Sequence, residues 1–205
     1  ERYGIDPPTA VRERLEAGAA GDLPETPGPD DPVFERVSNH VLADGFTAIE
    51  AAREVASDRG YDTCVLSSSV RGEAREAALT HVAVAEEIGA TGNPIEAPAV
   101  VLSGGEATVT VRGEGDGGPN AEFALAAAVE LPPAATLACV DTDGRDGSSD
   151  FAGAVVDADT VTDARGARQS LGNSDAYGYL GDRNAIVSTG PTGTNVNDLR
   201  VLVVE

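Results

Sequence analysis

Residues 39–88 read NHVLADGFTAIEAAREVASDRGYDTCVLSSSVRGEAREAALTHVAVAEEI, and this stretch decides the fold. Asn39 to Ala43 is a short apolar run and predicts a strand. Thr47 to Arg59 predicts a helix closed by Gly60, and Thr63 to Ser67 a second strand. Strand, helix, strand implies a right-handed parallel crossover. Glu73 to Ile88 then places Ala, Leu, Val and Ile on one face at helical spacing, with Gly89 ending the helix and a sheet as its partner. The expected class is therefore α/β: a layered α/β/α domain on a mixed, largely parallel sheet.

Beyond this stretch, Ala99 to Leu102 and Ala107 to Arg112 predict two extended runs with a turn or kink at Gly104-Gly105 between them. Asn120 to Leu131 predicts an Ala-rich helix stopped by Pro132-Pro133, followed by a buried strand over Thr136 to Val140. Thr160 to Gln169 and Ser174 to Leu180 predict short helices, and Ile186 to Ser188 and Leu199 to Val204 predict strands. On the N-terminal side, Thr9 to Ala20 predicts a helix with Thr9 as N-cap, and Gly21 to Pro32 is a linker or extended arm rich in Pro, Gly and acid. The absence of Met and the opening at Glu1 suggest a fragment: an arm over 1–36 ahead of a domain over 37–205.

The 205 residues carry a formal net charge of −21, and all 14 basic residues are Arg. A chain so short of cations excludes nucleic acid and membrane surfaces as partners, because both are anionic. Hydrophobic content of 41% is nevertheless enough for a core. The charge is explained by solubility in concentrated salt, as in a halophile's cytoplasm, where repulsion is screened to short range. Cys64 and Cys139 each lie in an apolar run and read as small core residues rather than a disulfide or metal pair. His40 and His81 lie apart, and His81 reads as a structural or surface histidine. No Gly-x-Ser-x-Gly nucleophile elbow is present.

Three loops combine glycine with hydrogen-bonding groups just beyond a strand, where open α/β sheets bind ligands. Ser103-Gly104-Gly105-Glu106 offers close backbone approach to an anion and one carboxylate. Asp141 to Asp150 offers hard oxygen ligands for a divalent cation such as Mg²⁺, with Asp141 and Asp143 as candidate ligands. It is not a calcium loop, since Asp146 and Ala152 occupy the positions where that motif needs Gly and Glu. Thr189 to Asp198 offers hydroxyls, amides and flexible glycines that can cradle a phosphate, although the Gly-Lys-Ser/Thr ending of a P-loop is absent.

Leu102-Ser103-Gly104-Gly105-Glu106-Ala107, Gly117-Gly118, Glu122 to Ala126, Asp141-Thr142-Asp143-Gly144, Ala152-Gly153-Ala154 and Thr189 to Leu199 together resemble the MOFRL domain of type-2 glycerate kinases, over about residues 98–205. The resemblance implies transfer of the ATP γ-phosphoryl to the 2-hydroxyl of D-glycerate, with Mg²⁺, in a cleft against the chain's own N-terminal Rossmann-like domain. That domain would lie outside this chain. Where the family reads Gly-Gly-Arg-Asn-Gln-Glu, with the Arg a proposed catalytic group, this chain has Gly117-Gly118-Pro119-Asn120-Ala121-Glu122, so either Arg145 substitutes or this member works differently or poorly. The family's catalytic Lys belongs to the N-terminal domain, and this lysine-free chain lacks one.

The expected site therefore comprises Arg145 as catalytic group and Ser103, Gly104, Gly105, Glu106, Asn120, Thr192, Gly193, Thr194 and Asn195 as substrate and nucleotide contacts, with Asp141 and Asp143 on the metal. The fragment alone is expected to be inactive, and self-association as a homodimer stays open. The alternatives are a non-catalytic binding or oligomerisation module, and part of a hydroxypyruvate reductase. Gly113 to Gly118 approximates a dinucleotide-binding glycine spacing, but follows an alternating, edge-like strand.

Overall fold

The computed structural model describes residues 4–205. The chain divides into two compact units, residues 1–41 and 42–205. In the first, helix α1 (Thr9–Ala20) and a 3-10 turn over Pro32–Arg36 contain no buried residue. Thr9 is the first helical residue of α1 rather than its cap: Pro8 holds the cap position, and no side chain bonds the first turn.

The second unit contains α2 (Gly45–Asp58), β1 (Asp62–Glu73), α3 (Ala74–Thr91), β2 (Ala99–Thr108), α4 (Pro119–Ala128) and β3 (Ala135–Asp141), then β4 (Gly153–Asp157), α5 (Ala164–Gly172), α6 (Ala176–Gly181), β5 (Ile186–Val187) and β6 (Asp198–Val204). The six strands form one sheet in the order β1-β2-β6-β3-β4-β5. It is mixed, as expected, but among the described residues its only parallel pair is β1 with β2, joined across α3. The β2/β6, β6/β3, β3/β4 and β4/β5 pairs are antiparallel. A largely parallel sheet was expected because helices intervene between β1, β2 and β3. The chain end returns instead as β6 and inserts between β2 and β3 in the opposite direction.

Residues 39–43 form no strand, and Val41 and Leu42 are exposed, so the expected crossover through α2 does not exist. What precedes α2 is a cap: the Asp44 side chain accepts from Thr47 N while the Thr47 hydroxyl accepts from Asp44 N. That box satisfies two orphan groups of the first turn. Helix α3 runs through Gly89 and ends at Gly92, whose φ of 75° is the left-handed conformation a helix C-cap favours.

The helices cover both faces of the sheet. On one face α2 packs Ile49 and Ala56 against Val100 and Leu102 of β2 and the partly buried Val201 and Val203 of β6. On the other face lie α3, α4, α5 and α6, with the main core around Phe123, Leu125, Leu137, Leu180 and Leu202. Every residue of α4 from Asn120 to Ala128 is buried, which an Ala-rich helix permits because its short side chains let neighbours approach from all sides. No helix among the described residues is long and apolar enough to cross a membrane.

The expected turn at Gly104-Gly105 is absent, because Ala99 to Thr108 is one continuous strand. The glycines are needed there for contact rather than for turning. A Cβ on Gly105, whose φ is 127°, would lie 2.1 Å from the Val70 carbonyl oxygen, and one on Gly104 would lie 3.1 Å from that of Asp198. Neighbouring backbone occupies the side-chain position at Gly105, and the register between β1 and β2 shifts between Ser67 and Val70.

Candidate active site

Val70, Gly105, Asp198 and Asp141 are paired in a row across β1, β2, β6 and β3. The row lies at the C-terminal ends of β2 and β3, the edge at which such sheets bind ligands. Two loops meet beyond it and hold each other. Thr142 N and its hydroxyl donate to Asn197 O at 3.2 and 2.7 Å, and Val196 N donates to the Thr142 hydroxyl at 2.9 Å. Thr192 N donates to Asp143 O at 3.0 Å, and Thr192 Oγ1 lies 2.6 Å from Thr142 O. Asn195 Nδ2 donates to Asp143 Oδ2 at 2.9 Å. Gly144 sits where a Cβ would meet Gly190 O at 2.1 Å, so glycine lets the two backbones close on one another.

The structure thus brings together Asp141, Asp143, Thr192, Gly193, Thr194 and Asn195 of the expected site. Asp143 is oriented on both sides, since its Oδ1 also accepts from Arg145 N at 2.7 Å. Asp141 Oδ1 accepts from Asp143 N, and its carboxyl is pushed up to about 6 by burial, with the charges of Asp143 and Asp198 adding to the rise. Adjacent carboxylates that resist sharing negative charge suit a divalent cation, and their hard oxygens match Mg²⁺. Among the described residues no group of three or more His, Cys, Asp or Glu is placed to hold a metal, so water or ligand oxygens would have to complete its coordination.

The other expected residues lie elsewhere. Arg145 is exposed, its guanidinium on Asp150 Oδ1 at 2.9 Å. Of the Ser103–Glu106 run only Glu106 is exposed. Ser103 is fully buried, its Oγ 2.7 Å from Nε2 of His81 on α3, so its side chain is committed to the core and not to a cleft. Gly104 and Gly105 are filled in by strand backbone. Asn120 is buried, and its Nδ2 donates to Asp198 Oδ1 at 2.7 Å and to Asp146 Oδ1 at 3.2 Å.

Beneath the loops runs a buried polar chain whose roles the sequence reading did not assign. Asp146 accepts from Asn120 N, Ala121 N, Asn120 Nδ2 and the Tyr177 hydroxyl, and so stands as a remote carboxylate cap on α4. Burial holds its carboxyl above the usual range, opposed by those donors. Asp198 accepts from Asn120, from Ala107 N and from Arg200 Nη2 at 2.5 Å. Arg200 is the one buried Arg among the described residues, with its guanidinium carbon 4.5 Å from the Phe123 ring centre. The signal was present: along β6 burial alternates, which puts Asp198 and Arg200 on the same face as the core residues Leu202 and Val204.

His81 is buried, edge-on to Phe123 at 5.0 Å, and its pKa is lowered to about 4, mainly by burial and secondarily by the charge of Arg200. The folded state therefore keeps it neutral where the unfolded chain would protonate, so its contribution is present above pH ~6.5 and lost as pH falls toward 4. Between those limits the wild type should lose about 3 kcal/mol more stability than His81→Gln. Urea midpoints across that range check this, and parallel pH dependences would contradict it.

The fold and site define a mixed α/β domain whose ligand edge is built from two interlocked loops. Residues 99–198 match the model of the MOFRL family. The chain is similar to the glycerate 2-kinase of Pyrococcus horikoshii, at 36% identity over 96% of this chain and 46% of that protein. It is also similar to an Agrobacterium vitis protein named as a hydroxypyruvate reductase, at 39% identity over 99% of this chain and 46% of that one. The crystal structure of Thermotoga maritima glycerate kinase superposes with a TM-score of 0.84 at 34% identity, covering 100% of this chain and 48% of that chain. The match to the MOFRL family model thus covers about half of the chain, which is similar to glycerate kinases and spans about half the length of the curated relatives it matches.

Proposed function

We propose that this chain is the C-terminal half of a glycerate 2-kinase, which transfers the ATP γ-phosphoryl to D-glycerate at a cleft completed by an N-terminal domain. The observation that carries this reading is the meshing of the Asp141–Asp146 and Thr189–Asn197 loops at the sheet's ligand edge, in a chain similar to glycerate 2-kinases.

Asp141 and Asp143 would hold Mg²⁺, with Asn195 and the Arg145 backbone fixing Asp143. The cation would supply positive charge against the phosphoryl oxygens, which carry the charge of a loose transition state. Free backbone around Gly193 and the Thr194 hydroxyl would contact the anion, since the Thr192 hydroxyl is already committed to the loop itself. Arg145, reachable at the surface beside Asp150, is the remaining candidate for a cation contributed by this half. The other half would supply the Lys that this chain lacks, and for that reason the fragment alone would not turn over. The net charge of −21 and the absence of Lys support work in concentrated salt, in a halophile's cytoplasm.

A reductase reading is less well supported. The glycines of Gly113–Gly118 face protein: Cβ atoms at Gly113 and Gly115 would strike Asn173 and Asp175 at 2.2 and 2.3 Å. Those glycines serve packing against the start of α6 rather than approach to a pyrophosphate. Asp143→Ala in the full-length protein should lower kcat for phosphoryl transfer ~100-fold or more, the order seen when one charge-stabilising group is removed. Unchanged Mg²⁺-dependent activity would remove Asp143 from the metal, and unchanged activity in Arg145→Ala would remove Arg145 from the reaction.

A further inference from the structure

Beside the start of α4 lies a cavity of about 340 Å³ that none of the residues above accounts for. Its walls include Val109, Val111, Gly118, Pro119 and Ser148, with the carboxylates of Asp116 and Glu122, and no Arg or His lines it. Without a cation such a space repels phosphate and carboxylate groups, so neither end of an anionic substrate belongs in it. The two valines and the proline instead present apolar surface to a flat, uncharged ligand.

The polar groups in the walls are specific. Glu122 is only 2% exposed; Arg75 Nε donates to its Oε1 at 2.8 Å, and Arg75 Nη2, which donates to Leu171 O, lies 2.7 Å from the same oxygen. Its Oε2 takes no hydrogen bond among the described residues and is free to accept one from a ligand. Nearby, the N–H groups of Gly117 and Gly118 have no acceptor among the described residues. An acceptor beside free donors, between apolar walls, matches the edge of an aminopurine, whose exocyclic amino group donates while its ring nitrogen accepts. Leaving such wall groups unpaired is costly, so a ligand that satisfies them is selected strongly over one that does not.

The cavity also shares a loop with the proposed phosphate region. Its wall residues Gly147 and Ser148 follow directly on Asp146, in the loop that carries Asp141 and Asp143. We infer that this cavity is the nucleobase subsite, taking the adenine of ATP, and that Glu122 is the residue that reads the exocyclic amino group. This rests on the phosphotransfer reading and adds to it the residue that sets nucleotide preference.

The test compares ATP with ITP, which carries an oxo group in place of the amino group, in the full-length protein. The wild type should prefer ATP by ~10-fold or more in kcat/KM, as one hydrogen bond to a charged group provides. Glu122→Gln, whose amide can donate to the oxo group, should bring the two within a few-fold of each other. Loss of the Arg75 pair would slow both nucleotides alike, so the ratio isolates base reading from structural damage. An unchanged ratio in the folded variant overturns the inference.

If Glu122→Gln does not fold, the wild type decides: adenosine should compete with ATP at least ~10-fold better than inosine, and equal competition overturns the assignment. A wild type with no phosphotransfer would sink the kinase reading alone. In that event adenosine should still shift the methyl resonances of Val109 and Val111, and their failure to move would sink the subsite as well.

Discussion

Asp146→Ala should cost about 3–5 kcal/mol of folding stability, since each buried donor left without an acceptor costs about 1–3 kcal/mol. The carboxylate accepts two backbone N–H groups of the first turn of α4, the Asn120 amide and the Tyr177 hydroxyl. Both backbone donors and the Tyr177 hydroxyl lose their acceptor at once, while the Asn120 amide keeps Asp198. Asp146→Asn should be milder, because one oxygen remains to accept. Denaturation in molar KCl, followed by circular dichroism, reads both variants. An Asp146→Ala midpoint close to wild type would mean that α4 does not depend on this cap.

Arg200→Met should be comparably damaging, at about 3–5 kcal/mol, because it strands the buried carboxylate of Asp198 without its counter-charge. The long apolar side chain keeps most of the packing against Phe123, so the charge is the main thing removed. Adding Asp198→Asn should recover part of the loss, since a neutral amide needs no cation and its oxygen can still accept from Asn120. A double variant no better than the single one would show that Arg200 acts through packing rather than through Asp198. The same denaturation measurement distinguishes the two.

Those two carboxylates show where the sequence was and was not legible. Elements with a strong local pattern could be read: α3 from its apolar face, α4 from its Ala-rich run between Asn120 and Pro132-Pro133, and β3 from its apolar stretch. What failed was pairing. Nothing local states that β6 enters between β2 and β3, and that insertion makes most of the sheet antiparallel. Gly104-Gly105 looked like a turn because closeness of a neighbouring strand has no sequence signal other than glycine itself.

That two polar loops lie beyond strand ends was legible from composition, in the Asp, Gly, Thr and Asn of residues 141–150 and 189–198. Their division of labour was not. Asp146 stands in the same acidic run as Asp141 and Asp143, yet it turns inward to cap a helix while Asp143 turns to the facing loop. Only contacts distant in sequence separate the two. Ser103 misled for the same reason: its neighbours Gly104 and Gly105 suggested a loop, whereas strand alternation carries its hydroxyl to His81.

The most direct test of the central claim is a coupled phosphotransfer assay with ATP, Mg²⁺ and D-glycerate in molar KCl, on this chain and on the full-length protein. The account predicts turnover by the full-length protein alone, with this chain supplying the acidic and Thr-rich loops of a shared site. A folded full-length protein that leaves D-glycerate unphosphorylated would contradict it.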